Sequence, residues 1–302
     1  MIYAPVALFV YNRPQHVSRT IEALQQSEGA NDTILYVFSD GPKSGESEVL
    51  IDEVRHICHH LSGFKQVIVN ERSSNMGLAA NIIDGVTQVV REHGRVIVLE
   101  DDLQVQSGFL RYMNAALDSY CNHSVLSVCA YTPPISIPDD YSYSTYLTRR
   151  IGSWGWGTWR DVWERVDWGV PSFEEFITDK HRRCLFNSSG NDLSVMLLKQ
   201  QQGIIRSWAV RFAYWGFISG LDTVYPVKSL IANHGVDGSG THMKKSQKYV
   251  SSMTDFIDVD RFCPPGYCDM RIVESFRKFY NTSLFRKVIN WFKVNRYIYL
   301  NR

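Results

Sequence analysis

The sequence predicts an α/β fold in which a mostly parallel β-sheet is flanked by helices on both faces. Two observations support this prediction. Apolar runs of strand length alternate with segments of helical periodicity over residues 1–130, which is the order that builds parallel sheets. Polar clusters follow the first four predicted strands, and the carboxyl ends of such strands form the ligand-binding edge of the sheet.

The predicted strands are short apolar runs bounded by turn residues. They cover residues 6–11, 33–38, 65–69, 96–99 and 125–130. Between them, apolar residues recur every three or four positions, which predicts amphipathic helices. These helices cover residues 16–27, 46–61, 78–90 and 109–120.

Three consecutive acids, Glu100, Asp101 and Asp102, follow the apolar run 96–99, and we call them the acidic triplet. Carboxylates at the end of a buried strand repel one another and lose hydration, so we expect a cation to compensate them. A divalent metal ion that carries a phosphorylated ligand fits, because hard cations bind carboxylate oxygens. The alternative is a structural role, in which Asp102 or Ser107 caps the next helix.

Other polar side chains are expected at the same edge of the sheet. They are Asn12, Arg13, Asp40 and the segment 72–75, which includes Arg72 and Asn75. Neither G-x-G-x-x-G nor G-x-x-x-x-G-K-[ST] occurs in the chain, so a bound diphosphate would be neutralised by a metal and by basic side chains. Asp102 as a metal ligand, with Arg13 and Arg72 nearby, would serve this purpose.

Two segments of the second half also carry candidate residues. Residues 153–163, SWGWGTWRDVW, hold four tryptophans, and Trp154 and Trp156 are either a wall on which a sugar ring packs or part of a core seam. Residues 233–242, NHGVDGSGTH, predict a glycine-rich loop. His242 in this loop is a candidate metal ligand, although a lone histidine is more often structural.

The composition narrows the class of protein. Of the 302 residues, 32 are Lys or Arg and 31 are Asp or Glu, so no global charge favours nucleic acid. No run of about 18 apolar residues occurs, so we expect no membrane span. The first residues have no basic segment, so we expect no signal peptide. The six cysteines are scattered, which favours free thiols and a cytoplasmic location.

The C-terminal segment 274–302 is basic and aromatic. It has seven Lys and Arg residues against the single acid Glu274, interleaved with Phe, Trp and Tyr. This composition suits an anionic membrane surface, so we expect peripheral attachment to the inner face of the plasma membrane. The alternative is a helix that packs back on the protein with its basic face in water.

Several motifs together resemble a known family. They are VALFVYNRP at 6–14, FSDGP at 38–42, RSSNMGLAANI at 72–82, VLEDDL at 98–103, SWGWGTW at 153–159, SWAVRF at 207–212 and NHGVDGSGTH at 233–242. The chain resembles GT-A-fold glycosyltransferases of the family-2-like kind found in bacterial surface polysaccharide and lipopolysaccharide synthesis. It also shares features with the N-acetylglucosaminyltransferase I group.

This resemblance implies a domain organisation and an activity. Residues 1–130 would form a nucleotide-sugar-binding α/β half, 131–270 an acceptor-binding half of the same catalytic domain, and 271–302 a helical tail. The activity would move a sugar from a nucleotide donor, most simply UDP-linked, to a glycan or lipid-linked oligosaccharide. Two alternatives are a sugar-phosphate nucleotidyltransferase, whose basic triphosphate loop is missing here, and a carbohydrate-binding protein with a decayed site.

The resemblance also implies roles for particular residues. Asp102 would bind Mn²⁺ or Mg²⁺, and the donor would be contacted by Asn12, Arg13, Asp40, Asp101, Trp154 and Trp156. Three further candidates come from the residues themselves: Arg72 and Asn75 for the donor, and His242 for the metal. Relatives often carry an acid beside the tryptophan of SWAVRF, where this chain has Ser207. The candidate catalytic bases are therefore Asp161, Asp167 and Asp192.

Overall fold

The computed structural model describes residues 3–45, 48–121, 124–235 and 247–301. The strands are β1 Val6–Val10, β2 Ile34–Ser39, β3 Gln66–Glu71, β4 Arg95–Glu100, β5 Leu103–Val105, β6 Val125–Cys129, β7 Thr145–Thr148, β8 Trp156–Trp159, β9 Asp222–Pro226 and β10 Ile231–Asn233. The helices are α1 Pro14–Gln25, α2 Val49–His59, α3 Leu78–His93, α4 Phe109–Ser119, α5 Arg160–Trp163, α6 Phe173–Thr178, α7 Lys180–Phe186, α8 Leu193–Gln201, α9 Trp208–Ser219, α10 Met270–Tyr280 and α11 Leu284–Leu300.

Eight strands form one sheet in the order β3-β2-β1-β4-β8-β6-β9-β7. Strands β1, β2, β3 and β4 pair in parallel, as do β6 and β9. The predicted fold class, a mostly parallel sheet flanked by helices, is confirmed. Each strand and helix predicted within residues 6–130 has a counterpart in the structure, with bounds that differ by a few residues.

Strands β7 and β8 were not predicted, and both run antiparallel to their neighbours. Strand β8 lies between β4 and β6 and is the glycine- and tryptophan-rich sequence WGTW. Its Gly157 lets the backbones approach closely, since a Cβ there would lie 2.9 Å from the carbonyl oxygen of Val96. The pairing partners of this strand are distant in sequence, so its local composition does not predict it.

The sheet is buried on both faces. Val6 and Leu8 of β1 face a cluster that includes apolar residues of α1, α2 and α4, whereas Ala7 and Phe9 face α3 and α9. This double burial explains the uninterrupted apolar run of β1, because successive side chains point to opposite faces. A third cluster joins α6, α7, α8, α9 and α11.

A second, two-stranded sheet pairs β5 with β10 in antiparallel fashion, directly after the acidic triplet. Leu103 pairs with Asn233, and the amide of His234 donates to the carbonyl oxygen of Asp102 at 2.8 Å. The start of the glycine-rich segment is therefore held against the acidic triplet.

The C-terminal segment forms the two helices α10 and α11. Phe276 of α10 is buried against Tyr225, at 5.2 Å between ring centroids. Val294 of α11 is buried against α8 and its neighbours, so one side of α11 packs back on the protein. Among the described residues, no helix is both long enough and apolar enough to cross a bilayer.

Candidate active site

The acidic triplet lies where β4 ends, beside the end of β1. Glu100 pairs with Phe9 across the two parallel strands. Arg13, three residues beyond β1, contacts both aspartates: its Nη2 atom donates to Oδ1 of Asp101 and, at 2.9 Å, to Oδ2 of Asp102. The Thr20 hydroxyl of α1 donates to the Asp101 carbonyl oxygen at 2.8 Å. The predicted meeting of Arg13 with the acidic triplet is therefore seen in the structure.

Two of the three acids of the triplet have raised pKa values. Burial, together with the neighbouring Asp102 and Asp101, raises the pKa of Glu100 to about 8, although Arg13 opposes this shift. Burial also raises the pKa of Asp101 to about 6, although Arg13 opposes this shift. Among the described residues, Arg13 is the guanidinium that faces these carboxylates, and a hard divalent cation at Asp102 would relieve the repulsion that remains.

Arg13 also has a donor to spare for a ligand. Its Nη1 atom is buried and has no hydrogen-bond partner in the part of the chain that the structure describes. A buried donor without a partner costs free energy, and a bound anion would satisfy it. The site thus combines oxygen ligands for a cation with a guanidinium donor for an anion.

Asp40 organises the loop that leads into α3. Its Oδ1 accepts from the amides of Gly41 and Met76 at 2.9 and 2.8 Å, and its Oδ2 accepts from the Gly77 amide and from Asn75 Nδ2 at 3.0 and 3.1 Å. Both oxygens therefore shape this loop. The sequence predicted Asp40 and Asn75 as residues that contact the sugar-nucleotide donor. In the structure these two side chains hydrogen-bond to each other.

Arg72 does not join the acidic triplet as the sequence suggested. Its guanidinium donates to Asn81 at 3.1 Å and to Asp84, both on α3. It also lies 5.5 Å from the ring centroid of Phe38. The reason is strand order, because Arg72 follows β3, and β2 and β1 lie between β3 and the strand β4 that carries the acidic triplet.

The two candidate tryptophans have different surroundings. Trp156 is 1% exposed and stacks on Trp208 at 4.5 Å between ring centroids, so it belongs to the core and cannot pack on a sugar. Trp154 is half-buried and belongs to a series of contacting rings that we call the aromatic run. The aromatic run consists of Tyr131, Trp154, Tyr249 and Phe279, with successive ring centroids 4.5, 5.6 and 5.6 Å apart.

The structure separates the three candidate bases. Asp161 follows Trp159, which pairs with Arg95 at the start of β4, so Asp161 lies at the edge of the sheet opposite the acidic triplet. This placement corrects the prediction, because antiparallel β8 runs away from the site. Asp192 is held by Arg150 through two hydrogen bonds of 2.8 and 3.0 Å. Its carboxylate is thus committed to a structural ion pair.

Asp167 lies in the loop between α5 and α6, where its Oδ1 accepts from the Gly169 amide at 2.9 Å. The carbonyl oxygen of the next residue, Trp168, accepts from Nη1 of Arg211 at 3.0 Å. Arg211 stands in the first turn of α9, the segment in which relatives carry an acid. Among the three candidate bases, Asp167 is therefore the one next to a residue, Trp168, that is bonded to this first turn of α9.

His242 lies outside the described residues. Among the residues that are described, no three His, Cys, Asp or Glu side chains gather as a metal site. The residues that the sequence analysis missed are His234 and Gly235, which β10 places against Asp102. A Cβ on Gly235 would lie 2.1 Å from Oδ2 of Asp102, so any larger residue there would displace the Asp102 carboxylate. The sequence feature that could have indicated these two residues is the pair His234-Gly235 near the start of the predicted glycine-rich loop, NHGVDGSGTH.

Comparison with known families identifies the chain. Residues 6–159, about half of the chain, match the family model for glycosyl transferase family 2. The chain belongs to glycosyl transferase family 2. It is therefore a glycosyltransferase, and family membership supports transfer from a nucleotide-sugar donor. The resemblance to the N-acetylglucosaminyltransferase I group stays a prediction.

Two solved structures resemble this family 2 glycosyltransferase but share little sequence identity with it. The mannosyltransferase PcManGT from Pyrobaculum calidifontis, in complex with GDP-Man and Mn²⁺, is 11% identical at a TM-score of 0.39, over 72% of this chain and 73% of that one. TarS from S. aureus is 10% identical at a TM-score of 0.40, over 75% of this chain and 36% of TarS. A search of curated proteins finds no match.

Proposed function

We propose that this family 2 glycosyltransferase transfers a sugar from a UDP-sugar to a glycan or lipid-linked oligosaccharide in the synthesis of a bacterial surface polysaccharide. The observation that carries the proposal is the acidic triplet at the carboxyl edge of the sheet, with Arg13 between Asp101 and Asp102. Ligands of α/β sheets bind at this edge. The UDP assignment rests on the resemblance of the segment around Asp40 to the nucleotide pocket of the family.

The metal proposal rests on the charge of the acidic triplet. Asp102 would hold Mn²⁺ or Mg²⁺, because the family resemblance matches it to the metal ligand and its Oδ2 lies at the edge of the sheet beside Arg13 and Gly235. A divalent ion bound there supplies Lewis-acid stabilisation of the diphosphate leaving group. PcManGT was solved with Mn²⁺, which is consistent with this choice of metal.

The chain's own residues would then bind and orient the donor. Arg13 fixes the two aspartates and offers its buried Nη1 donor to an anionic oxygen. Asp40 sets the backbone of residues 75–77, which would line the nucleotide pocket. An inverting transfer also needs a carboxylate to take the proton of the acceptor hydroxyl, and we retain Asp167 for this role.

A melting experiment tests the donor and the metal together. We expect UDP with Mn²⁺ to raise the melting temperature and Asp102→Ala to cancel the shift. The matched control is Asp161→Ala, which removes an exposed acid at the opposite edge and should keep the shift. A wild-type chain that no nucleoside diphosphate stabilises would contradict the proposal.

A hydrolysis screen separates an active enzyme from a decayed site. A panel of sugar nucleotides is incubated with the protein and Mn²⁺, and the released nucleoside diphosphate is measured. We expect release from a UDP-sugar, and NMR of the released sugar's anomer would show whether transfer inverts or retains configuration. A decayed carbohydrate-binding protein would release nothing from any donor in the panel.

We further propose that the enzyme works in the cytoplasm, on the inner face of the plasma membrane. The support is the basic and aromatic composition of residues 274–302. A lipid-linked acceptor presents its sugars at a membrane surface, so an enzyme attached there meets its acceptor at high local concentration.

A further inference from the structure

Helix α11 carries an apolar face that the protein leaves uncovered. The side chains of this face are between 53% and 80% exposed. They are Leu284, Phe285, Val288, Trp291, Phe292 and Tyr299. Their spacing of three, four and seven residues places them on one side of the helix, since an α-helix has 3.6 residues per turn.

The opposite side of α11 fixes the orientation of this face. Val294 is buried against α8 and its neighbours. The ring of Tyr297 lies 5.8 Å from that of Phe173, and its hydroxyl donates to Glu174 at 2.6 Å. With α11 anchored on α6 and α8, the apolar face of α11 points away from the protein. A contiguous apolar surface of this kind marks an interaction site.

Basic residues border the apolar face of α11. Lys293 and Arg296 line a groove of about 610 Å³ between α8 and α11, together with Lys199 of α8. The apolar side chains of Leu198 and Ile204 also line the groove, and no acid is among its described lining residues. Burial lowers the pKa of the Lys199 ammonium, and the nearby charges of Lys293 and Arg286 lower it further. Cations gathered without acids favour an anionic partner.

We propose that α11 docks on an anionic phospholipid bilayer, with its apolar face among the lipid chains and with Lys199, Lys293 and Arg296 on headgroup phosphates. Trp and Phe on one face with Lys and Arg beside them are characteristic of helices that lie in the membrane interface. A second copy of the chain is a poorer partner, because Arg286, Lys287, Lys293 and Arg296 of two copies would repel each other. The inference rests on the proposed membrane location and does not depend on the donor.

The helix that precedes α11 in the chain is part of the aromatic run. Helix α10 contributes Phe279, and Tyr249 lies between Phe279 and the half-buried Trp154. The helix that leads into the docking helix is thus connected by contacting rings to the segment that resembles the sugar-binding loop of the family.

Flotation with phospholipid vesicles tests the apolar part of the proposal. The full chain should float with vesicles of phosphatidylcholine mixed with phosphatidylglycerol and much less with pure phosphatidylcholine. The double variant Trp291→Ser, Phe292→Ser should lower vesicle partitioning by about tenfold or more, because two large apolar side chains are lost. The matched control Val49→Ser removes a residue that is 70% exposed on α2 and should bind normally.

The charge part of the proposal is tested with the single variants Lys293→Gln and Arg296→Gln and with the double Gln variant that combines them. Each single variant is expected to lower partitioning by about fivefold at low salt, whereas the control Lys65→Gln, an exposed residue outside the tail, should have no effect. Added salt should weaken binding of the wild type more than that of the double Gln variant.

Three outcomes would overturn the proposal: no flotation of the wild type with anionic vesicles, equal flotation of wild type and variants, or a dimer in solution that the Trp291 and Phe292 variant converts to monomer. The UDP and Mn²⁺ melting shift is measured on the same samples. A chain that floats without a shift contradicts the donor proposal only, and a chain that shifts without floating contradicts docking only.

Discussion

Arg13 and Asp102 lie 89 residues apart in the sequence, and Nη2 of Arg13 is 2.9 Å from Oδ2 of Asp102. The same nitrogen also contacts Asp101. One guanidinium therefore ties the loop after β1 to the acids that end β4. This contact makes the sheet edge a single site, because parallel β1 and β4 are direct neighbours.

Arg13→Gln should destabilise the protein by about 2 kcal/mol at neutral pH, because it leaves buried carboxylates without their cation. Urea unfolding measures this loss. The loss should shrink at pH 5, because Asp101, whose pKa burial raises to about 6, is then mostly protonated and no longer needs the cation. Arg13→Lys keeps the charge and should recover part of the stability, and a Lys variant as unstable as the Gln variant would contradict the charge argument.

Asp40→Ala should weaken donor binding without direct loss of a metal ligand. The change removes the acceptor for three loop amides and for Asn75, which should cost about 3 kcal/mol of unfolding free energy. Donor affinity by calorimetry should fall because the 75–77 backbone is released. As a control, Asp118→Ala removes an acid of α4 that pairs with Arg95 at the other edge of the sheet and should leave affinity intact.

Trp154→Ala and Trp156→Ala should differ in their effects on stability and on acceptor kinetics. Trp156 is buried among Trp163, Trp208 and Phe212, so its truncation should cost about 3–5 kcal/mol of stability. Trp154 is half-buried, so its truncation should cost less stability and should raise the KM for the acceptor. Thermal unfolding and acceptor kinetics distinguish the two, and equal stability losses would contradict the assigned surroundings.

Gly235→Ala should displace Asp102, because the added Cβ would lie 2.1 Å from its Oδ2. We expect the melting shift with UDP and Mn²⁺ to be lost while the chain stays folded. Gly203→Ala is the control without a clash: its φ of +69° strains alanine, but no described atom lies within 4 Å of the new Cβ. A normal metal response in Gly235→Ala would place the metal elsewhere.

The metal-free protein should lose stability as the pH rises from about 5 to 8. An unfolded glutamate releases its proton near pH 4.5, whereas folded Glu100 keeps it up to about pH 8. Between these values the folded state binds more protons, so the free energy of unfolding falls by at most about 1.4 kcal/mol per pH unit for this group. Glu100→Gln should flatten the slope in chelator-treated samples, and an unchanged slope would contradict the assignment.

Much of the first half of the fold follows from local sequence. The apolar run of β1, the periodicity of α3 and the acids after β4 each lie within one element, so the sequence alone predicts a parallel α/β sheet with an acidic site at its carboxyl edge. The family resemblance of VLEDDL and its companion motifs added the expected chemistry, and the family match confirmed the class of enzyme.

The tertiary structure decided which side chains belong to that site. It inserted β8 between β4 and β6, which buried Trp156 and carried Asp161 to the opposite edge. It placed Arg72 in an ion pair with Asp84. Strand β10 brought Gly235 into contact with Asp102. The physical reason is that strand order and ion pairing depend on contacts between residues far apart in the chain, whereas hydrophobic periodicity reports only the face that each local segment buries.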